Sequence, residues 1–168
     1  MHQHGHNDPN AAKLYELIKD VQIAMMTTID TDGTLHSRPM HGSKTDEHGD
    51  LWFFTKIQSP KITEISRENQ VNLAYSDTSG QNYVSVSGKA EIVRDRGKIK
   101  ELWSEPLRAW FPDGQDDPTI ALIRVHPVKG EYWDSPSSTL VHLYGYVKAA
   151  VTGESPKPGD QAKVNLRG

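Results

Sequence analysis

The stretch NYVSVSGKAEIV, residues 82–93, is the feature that most restricts how this chain can fold. Apolar residues recur at alternate positions, at Val84, Val86, Ala90 and Ile92, and the residues between them are mostly polar. Because successive side chains of a strand point to opposite faces of a sheet, this pattern predicts a long strand with one buried face. Gly88, which has no side chain, indicates a gap or a bend within this strand. A long, one-sided strand is typical of a small barrel.

The segments that precede this strand also have the period of strands. Residues 22–29, 34–43 and 51–55 are separated by the turn sequences DTDG and TDEHGD, which predicts three strands of an antiparallel meander. Residues 70–77 predict a further strand. Pro39 removes a hydrogen-bond donor, so its strand is expected to lie at an edge or to be bulged there.

The remaining segments predict helices, one or two more strands and two tails. Asp8 and Pro9 fit the cap and first residue of an amphipathic helix. Residues 95–114 predict a helical segment interrupted at Pro106, and residues 135–153 a closing helix. Residues 119–135 predict a sixth strand, with room for a seventh after Pro127. The domain is therefore expected to span residues 11–153, between disordered tails at residues 1–10 and 154–168.

Charge and composition exclude several classes of function. The formal net charge is −3 and the basic residues are scattered, so nucleic acid is not an expected partner. The chain contains no cysteine, which excludes disulfides, thiolate zinc sites and cysteine nucleophiles. No apolar stretch approaches the roughly 18 residues of a membrane-spanning helix. The histidines show no metal-ligand spacing. These features predict a soluble cytoplasmic protein without a membrane partner or a metal.

The sequence LWFFTKIQSPKITEI, residues 51–65, contains a candidate phosphate-binding site. A strand ends near Thr55, and Ser59 with Lys61 stands where a helix is predicted to begin. Helix N-termini present unpaired N–H groups and positive charge, which suit an anion. An ordinary helix cap is the alternative, since many helices begin with Ser-Pro and bind nothing. Arg38, on a strand expected to be a neighbour, and Lys56 favour the phosphate.

These motifs resemble a known flavin site. TLHSRPM, followed by FFTKIQSPK, is similar to the flavin mononucleotide (FMN) site of the pyridoxamine-5′-phosphate-oxidase-like split-barrel family. The order of LHSRPM, FFT, AWFP and EYWD is similar to that in the general stress protein branch of the family. The resemblance implies a mainly β (α+β) fold, namely a six- or seven-stranded antiparallel Greek-key split barrel with flanking helices. It also implies a homodimer with a flavin at the subunit interface.

The resemblance also implies which residues contact FMN, or FAD as an alternative cofactor. Arg38 and Lys61 would meet the phosphate, helped by Ser59 and Thr55. Many relatives have an arginine where this chain has Pro60, and Lys56 is the available substitute. The other expected contacts are four strand residues around the isoalloxazine ring and two tryptophans: Ser37, Pro39, Met40, Phe54, Trp110 and Trp133. Trp110 would come from the second subunit. Trp103, by contrast, is predicted to be a packing residue.

Two classes of function follow from this resemblance. The first is a flavin-dependent oxidoreductase of unknown substrate, with NADH or NADPH as a candidate reductant. The second is a flavin carrier, buffer or redox sensor without a dedicated substrate. Pyridoxamine-phosphate oxidase activity is disfavoured, because no arginine follows Trp133 before Arg167. A haem- or deazaflavin-binding split barrel is the weaker alternative, since the barrel alone does not fix the cofactor.

Overall fold

The fold is one antiparallel sheet with helices packed against it. A computed structural model describes residues 8–41, 44–135, 150–153 and 159–167. The strands are β1 (Ile23–Ile29), β2 (Leu35–His41), β3 (Lys44–Thr45), β4 (Leu51–Lys56), β5 (Gln70–Asp77), β6 (Asn82–Val93), β7 (Ile120–Asp134) and β8 (Asp160–Asn165). The helices are α1 (Pro9–Ile18), α2 (Pro60–Arg67), α3 (Arg96–Leu102) and a 3₁₀ helix (Glu105–Ala109). No helix among the described residues is long and apolar enough to cross a membrane.

The sheet curls so that its two ends approach each other. The strand order is β2-β1-β5-β6-β7-β4-β3, and β8 pairs with the second half of β7. Strand β2, at one end of this order, lies against β4, near the other end. The predicted antiparallel split barrel with flanking helices is therefore confirmed, and Pro39 lies on the edge strand β2.

Two apolar clusters hold this arrangement together. The larger fills the inside of the barrel, where α1 contributes Leu14 and Ile18 and the strands contribute residues such as Met26, Phe53 and Val86. The smaller lies beneath α3 and the 3₁₀ helix and contains the residues Trp52, Phe54, Ile99, Leu102, Leu107, Phe111, Ile120 and Leu122. Strand β4 contributes to both clusters, because alternate side chains face opposite sides.

The predicted segment 119–135 contains one strand, β7, where the sequence left room for two. Pro127 lies opposite Gly88, at the position where the register between β6 and β7 shifts. On its other edge, β7 pairs with β4 up to Val125 and with β8 from Lys129 onwards. Pro127 thus falls between the two partner strands, where a missing N–H group breaks no ladder bond. The bend predicted at Gly88 coincides with this register shift.

The boundaries of both tails need correction. The predicted disordered segment 154–168 contains β8, which is anchored by the buried side chain of Val164 and by an ion pair between Lys13 and Asp160. At the other end α1 already begins at Pro9, inside the predicted tail of residues 1–10. Residues 1–7 and most of the predicted closing helix, residues 136–149, lie outside the described residues.

Candidate functional site

A pocket of about 390 Å³ opens where the two ends of the sheet approach each other. Its walls come from the end of β2, the end of β4, the start of α2 and the segment around the 3₁₀ helix. The pocket brings together seven residues that the sequence analysis assigned to the flavin: Pro39, Met40, Phe54, Thr55, Ser59, Lys61 and Trp110. Its size lies within the range of roughly 300–1,000 Å³ that is usual for small-molecule sites.

The start of α2 forms the polar end of this pocket. Ser59 occupies the N-cap position, but its side chain makes no capping hydrogen bond. Instead, Nζ of Lys61 donates to Oγ of Ser59 over 2.7 Å. Burial lowers the pKa of Lys61 and the nearby charge of Arg38 lowers it further, while the charge of Glu64 offsets part of this effect. A half-buried cation beside a second cation is stabilised by an anion, so this end of the pocket suits a phosphate.

Thr55 adds an unsatisfied polar atom to the same pocket. It is 3% exposed, and its Oγ1 has no hydrogen-bond partner among the residues that the structure describes. Buried hydroxyl groups are nearly always hydrogen-bonded, because leaving one unpaired costs about 1–3 kcal/mol. An unpaired hydroxyl in the wall of a pocket is explained most simply by a ligand that supplies the partner.

Arg38 lies next to the pocket but is engaged elsewhere. Its Nη2 donates to Oε2 of Glu64 over 2.6 Å, its Nη1 donates to Oγ1 of Thr28 over 2.9 Å, and Nη2 also lies 2.8 Å from Nδ1 of His36. The Glu64 carboxyl is buried, which by itself raises its pKa. The hydrogen bonds from Thr28 and Arg38 outweigh this effect and lower the pKa of Glu64.

Asp30, His36 and Glu64 place three potential metal ligands within 4.8 Å of one another. The guanidinium group of Arg38 already donates to Glu64 and contacts the ring nitrogen of His36. We therefore regard these residues as the surroundings of Arg38 and assign no metal to them.

Two predicted site residues, Ser37 and Trp133, lie on the outer face of the sheet rather than in the pocket. Oγ of Ser37 lies 2.6 Å from Oγ1 of Thr27 on the neighbouring strand. Trp133 is 39% exposed and pairs in register with Tyr83, which is 43% exposed. Within one chain this exposed aromatic pair has no contact with the pocket.

Two further tryptophans, Trp103 and Trp110, lie near the pocket. Trp103 packs against Phe54 and Phe111, as predicted for a packing residue. Trp110 lines the pocket of its own chain, although the resemblance assigned it to the second subunit. Its ring lies 4.3 Å from the ring of His41, centre to centre, and the two planes are tilted by 31°.

The pocket wall also contains residues that were not among the assigned site residues: His41, Lys56, Leu107 and Phe111. His41 follows Pro39 by two positions and so shares its face of β2, a signal that the strand period contains. Lys56 pairs with the buried Asp117, whose Oδ2 lies 3.7 Å away. No local pattern identifies Leu107 or Phe111 as pocket residues, because the fold brings them there.

Comparisons with known proteins identify the family and the fold. Residues 9–157 match the family model described as pyridoxamine 5′-phosphate oxidase like. The chain is 30% identical over 136 residues to general stress protein 26 of Bacillus subtilis, and the match covers 78% of this chain and 93% of that protein.

Solved structures give the same result. The crystal structure of a general stress protein 26 from Jannaschia sp. CCS1 superposes with a TM-score of 0.77 at 28% identity, covering 93% of this chain and 98% of that one. A structure described as the general stress FMN/FAD binding protein of Xanthomonas citri gives a TM-score of 0.65 at 28% identity, covering 75% and 89% of the two chains.

Proposed function

This chain belongs to the pyridoxamine 5′-phosphate oxidase-like family, and we propose that it is a general stress flavoprotein that binds FMN in the pocket between β2, β4 and α2. The observation that carries the proposal is the unsatisfied polar end of the pocket. Lys61 has a hydroxyl group as its hydrogen-bond partner, and Thr55 Oγ1 has none within the described part of the chain. A phosphate monoester provides acceptors for both.

The phosphate would be held by three groups of this chain. Lys61 supplies a charge-assisted hydrogen bond, Ser59 a hydroxyl group that is not used for capping, and Thr55 a buried hydroxyl group. Arg38 adds positive charge from beside the pocket, in keeping with its effect on the pKa of Lys61. Its hydrogen bonds to Glu64 and Thr28 make it an electrostatic rather than a direct contributor.

The rest of the pocket suits a flat aromatic ring. Pro39 and Met40 supply one wall, and the 3₁₀ segment supplies Leu107. The rings of His41 and Trp110, which contact each other, lie at the same pocket. Aromatic and apolar side chains of this kind bind planar ligands by stacking and by burial of apolar surface. The flavin, when bound, supplies the electron transfer chemistry, and the chain contributes binding and orientation.

A homodimer would complete the site. Four exposed side chains lie on the outer faces of β1, β6 and β7: Ile23, Met25, Tyr83 and Trp133. Exposed apolar groups of this kind often mark an interaction surface, and a two-fold dimer uses the same surface on both copies. In such a dimer the Tyr83–Trp133 pair of one subunit would cover the flavin of the other.

Two uses of the flavin remain, and they require different experiments. An oxidoreductase would be reduced by NADH or NADPH in steady-state turnover, whereas a carrier or redox sensor would bind flavin without turnover. His41 is the one histidine in the described pocket wall, so proton transfer near the ring would depend on it or on solvent. That scarcity of acid–base groups keeps the carrier as the second candidate.

The visible spectrum of protein purified without added cofactor tests the ligand class. Flavin absorption bands are expected, and haem bands would contradict the proposal. Titration of flavin-free protein with FMN and with FAD then ranks the two cofactors. Because the site would be shared between subunits, FMN should also raise both the thermal stability and the dimer fraction. A monomer that binds FMN at full strength would refute the dimer.

A further inference from the structure

A second concave surface lies on the outer face of the sheet. One part, of about 730 Å³, crosses β7 and β8, and another, of about 400 Å³, continues over β1 and β5. The two parts share Ser87, Val128, Lys129 and Arg167, so they form one continuous surface, which we call the outer groove. It is separate from the pocket proposed for FMN, and the two share no lining residue.

The outer groove is strongly basic in a chain that is acidic overall. Its titratable lining residues are four cations, Lys89, Lys129, Lys163 and Arg167, and one carboxylate, Glu131, so its formal charge is 4 − 1 = +3. None of these cations forms an ion pair with another described residue. Glu131 accepts a hydrogen bond from Nε2 of Gln161 over 2.8 Å. Cations without a counter-charge that face one concavity favour an anionic ligand.

The floor of the outer groove supplies hydrogen-bond donors. Nδ2 of Asn72 donates to Oγ of Ser85 over 2.9 Å and to Oγ of Ser87 over 3.3 Å. Since each serine oxygen accepts from the amide, its own hydroxyl proton is available to donate to a ligand. Hydroxyl donors surrounded by lysine and arginine match the chemistry of phosphate oxygens.

The outer groove begins beside the exposed aromatic pair. Ser85 follows Tyr83 by two residues on β6, and Glu131 precedes Trp133 by two residues on β7. Side chains two positions apart on a strand share a face and lie about 7 Å from each other. A ligand that reached the Tyr83–Trp133 pair could therefore extend into the groove along the same face of the sheet.

We propose that the outer groove binds the phosphate groups of the nucleotide that reduces the flavin, and that it prefers NADPH to NADH because NADPH carries the additional 2′-phosphate. This inference rests on the proposed function, in which the Tyr83–Trp133 pair covers the flavin of the second subunit. A groove with a formal charge of +3 discriminates between the two nucleotides by charge alone.

The test uses adenosine 2′,5′-bisphosphate, which carries the distinguishing phosphate but cannot reduce a flavin. We expect flavin-loaded protein to bind this probe in calorimetry, and we expect the affinity to fall as salt is raised. Lys129→Ala combined with Lys163→Ala should weaken the probe roughly tenfold, since each exposed cation contributes modestly. Arg94→Ala is the matched control, because it removes an exposed cation outside the groove and should leave binding unchanged.

The affinity for FMN, measured on the same variants, separates this inference from the proposed function. The groove variants should bind FMN as the parent does. A parent protein that binds FMN but not the probe would overturn the groove proposal and leave the proposed function intact. If the double variant instead dissociates the dimer and leaves probe binding unchanged, the cations contact the second copy and the nucleotide assignment is wrong.

Discussion

The two ends of strand β4 differ in how completely their polar groups are satisfied. At its start, the buried carboxylate of Asp50 accepts from Nε of Arg124 over 2.6 Å and lies 2.8 Å from Nδ1 of His126. At its end, Thr55 has no partner for Oγ1, and Lys61 beyond it has a hydroxyl group for its ammonium. At the start of β4 the buried charge has its partners within the chain, whereas at the end of β4 the polar groups lack a partner that a ligand can supply.

This difference distinguishes buried polar groups that stabilise the fold from buried polar groups that bind a ligand. Both regions contain charged groups withdrawn from water, and both lie where the sheet meets its connecting segments. The burial of a charge therefore does not by itself indicate a site. A deficit of hydrogen-bond and charge partners does, because a stable fold otherwise satisfies such groups.

Removing the partner of Asp50 at the start of β4 should have the largest effect on stability. Arg124→Met leaves Asp50 buried with His126 as its remaining partner, and we expect a loss of about 3 kcal/mol in the free energy of unfolding. For a domain of this size that corresponds to a fall of about 6–12 °C in the melting temperature. FMN affinity should not change, since Arg124 is not in the pocket. A large loss of FMN affinity without unfolding would contradict the separation.

Removing Lys61, near the Thr55 end of β4, should have the opposite effects: it should weaken the binding of FMN without destabilising the fold. Lys61→Ala should weaken FMN by roughly ten- to a hundredfold, which corresponds to about 1.5–3 kcal/mol for a charge-assisted hydrogen bond. The flavin-free variant should melt no lower than the parent, because the lowered pKa of Lys61 means that its charged form destabilises the fold at neutral pH. Isothermal titration and thermal melts would measure both quantities.

Two buried threonines provide a matched pair with smaller effects. Thr55→Val removes an unpaired hydroxyl group and should raise the stability of the flavin-free protein by up to about 1 kcal/mol, while it weakens FMN. Thr28→Val removes a hydroxyl group that donates to Glu64 and accepts from Arg38, so it should cost about 1–2 kcal/mol. Melts of both variants without flavin would compare them, and equal destabilisation would mean that Thr55 is not a ligand-binding group.

The pH dependence of Glu64 gives the smallest and most specific effect. Its pKa is lowered from the ordinary value of 4.5, so its ionised form stabilises the fold above that value. This contribution is lost as the pH falls through the lowered pKa. The difference in melting temperature between parent and Glu64→Gln should therefore be largest near neutral pH and should shrink in acid. A difference that is constant from pH 7 to acid would show that the charge of Glu64 does not matter.

The sequence predicted most of the fold because most of its strands have a local signature. Alternation marks β1, β5 and β6, and the apolar run of β4 is equally local. Strand β8 lacks such a signature, since its sequence DQAKVN contains one strongly apolar residue, Val164. That strand is defined by its pairing with β7, which no window of the sequence displays.

The residues of the candidate site also differ in whether a local sequence pattern predicts their position. Ser59, Lys61 and Thr55 are predictable as neighbours in one pocket because they lie close together in the sequence, at a junction between a strand and a helix. The orientation of Arg38 could not be predicted, because its partner Glu64 lies 26 residues away on α2. The placement of Trp110 in its own chain's pocket likewise depends on how the 3₁₀ segment packs against β4.

The end of β4 and the start of α2 are proposed to form a phosphate-binding site, and the affinities of FMN and riboflavin test this proposal directly. The two ligands share the isoalloxazine ring and differ by the phosphate. We predict that flavin-free parent protein binds FMN at least tenfold more tightly than riboflavin, and that the difference shrinks when salt is raised. Equal affinities for FMN and riboflavin would mean that Ser59, Pro60 and Lys61 do no more than begin a helix.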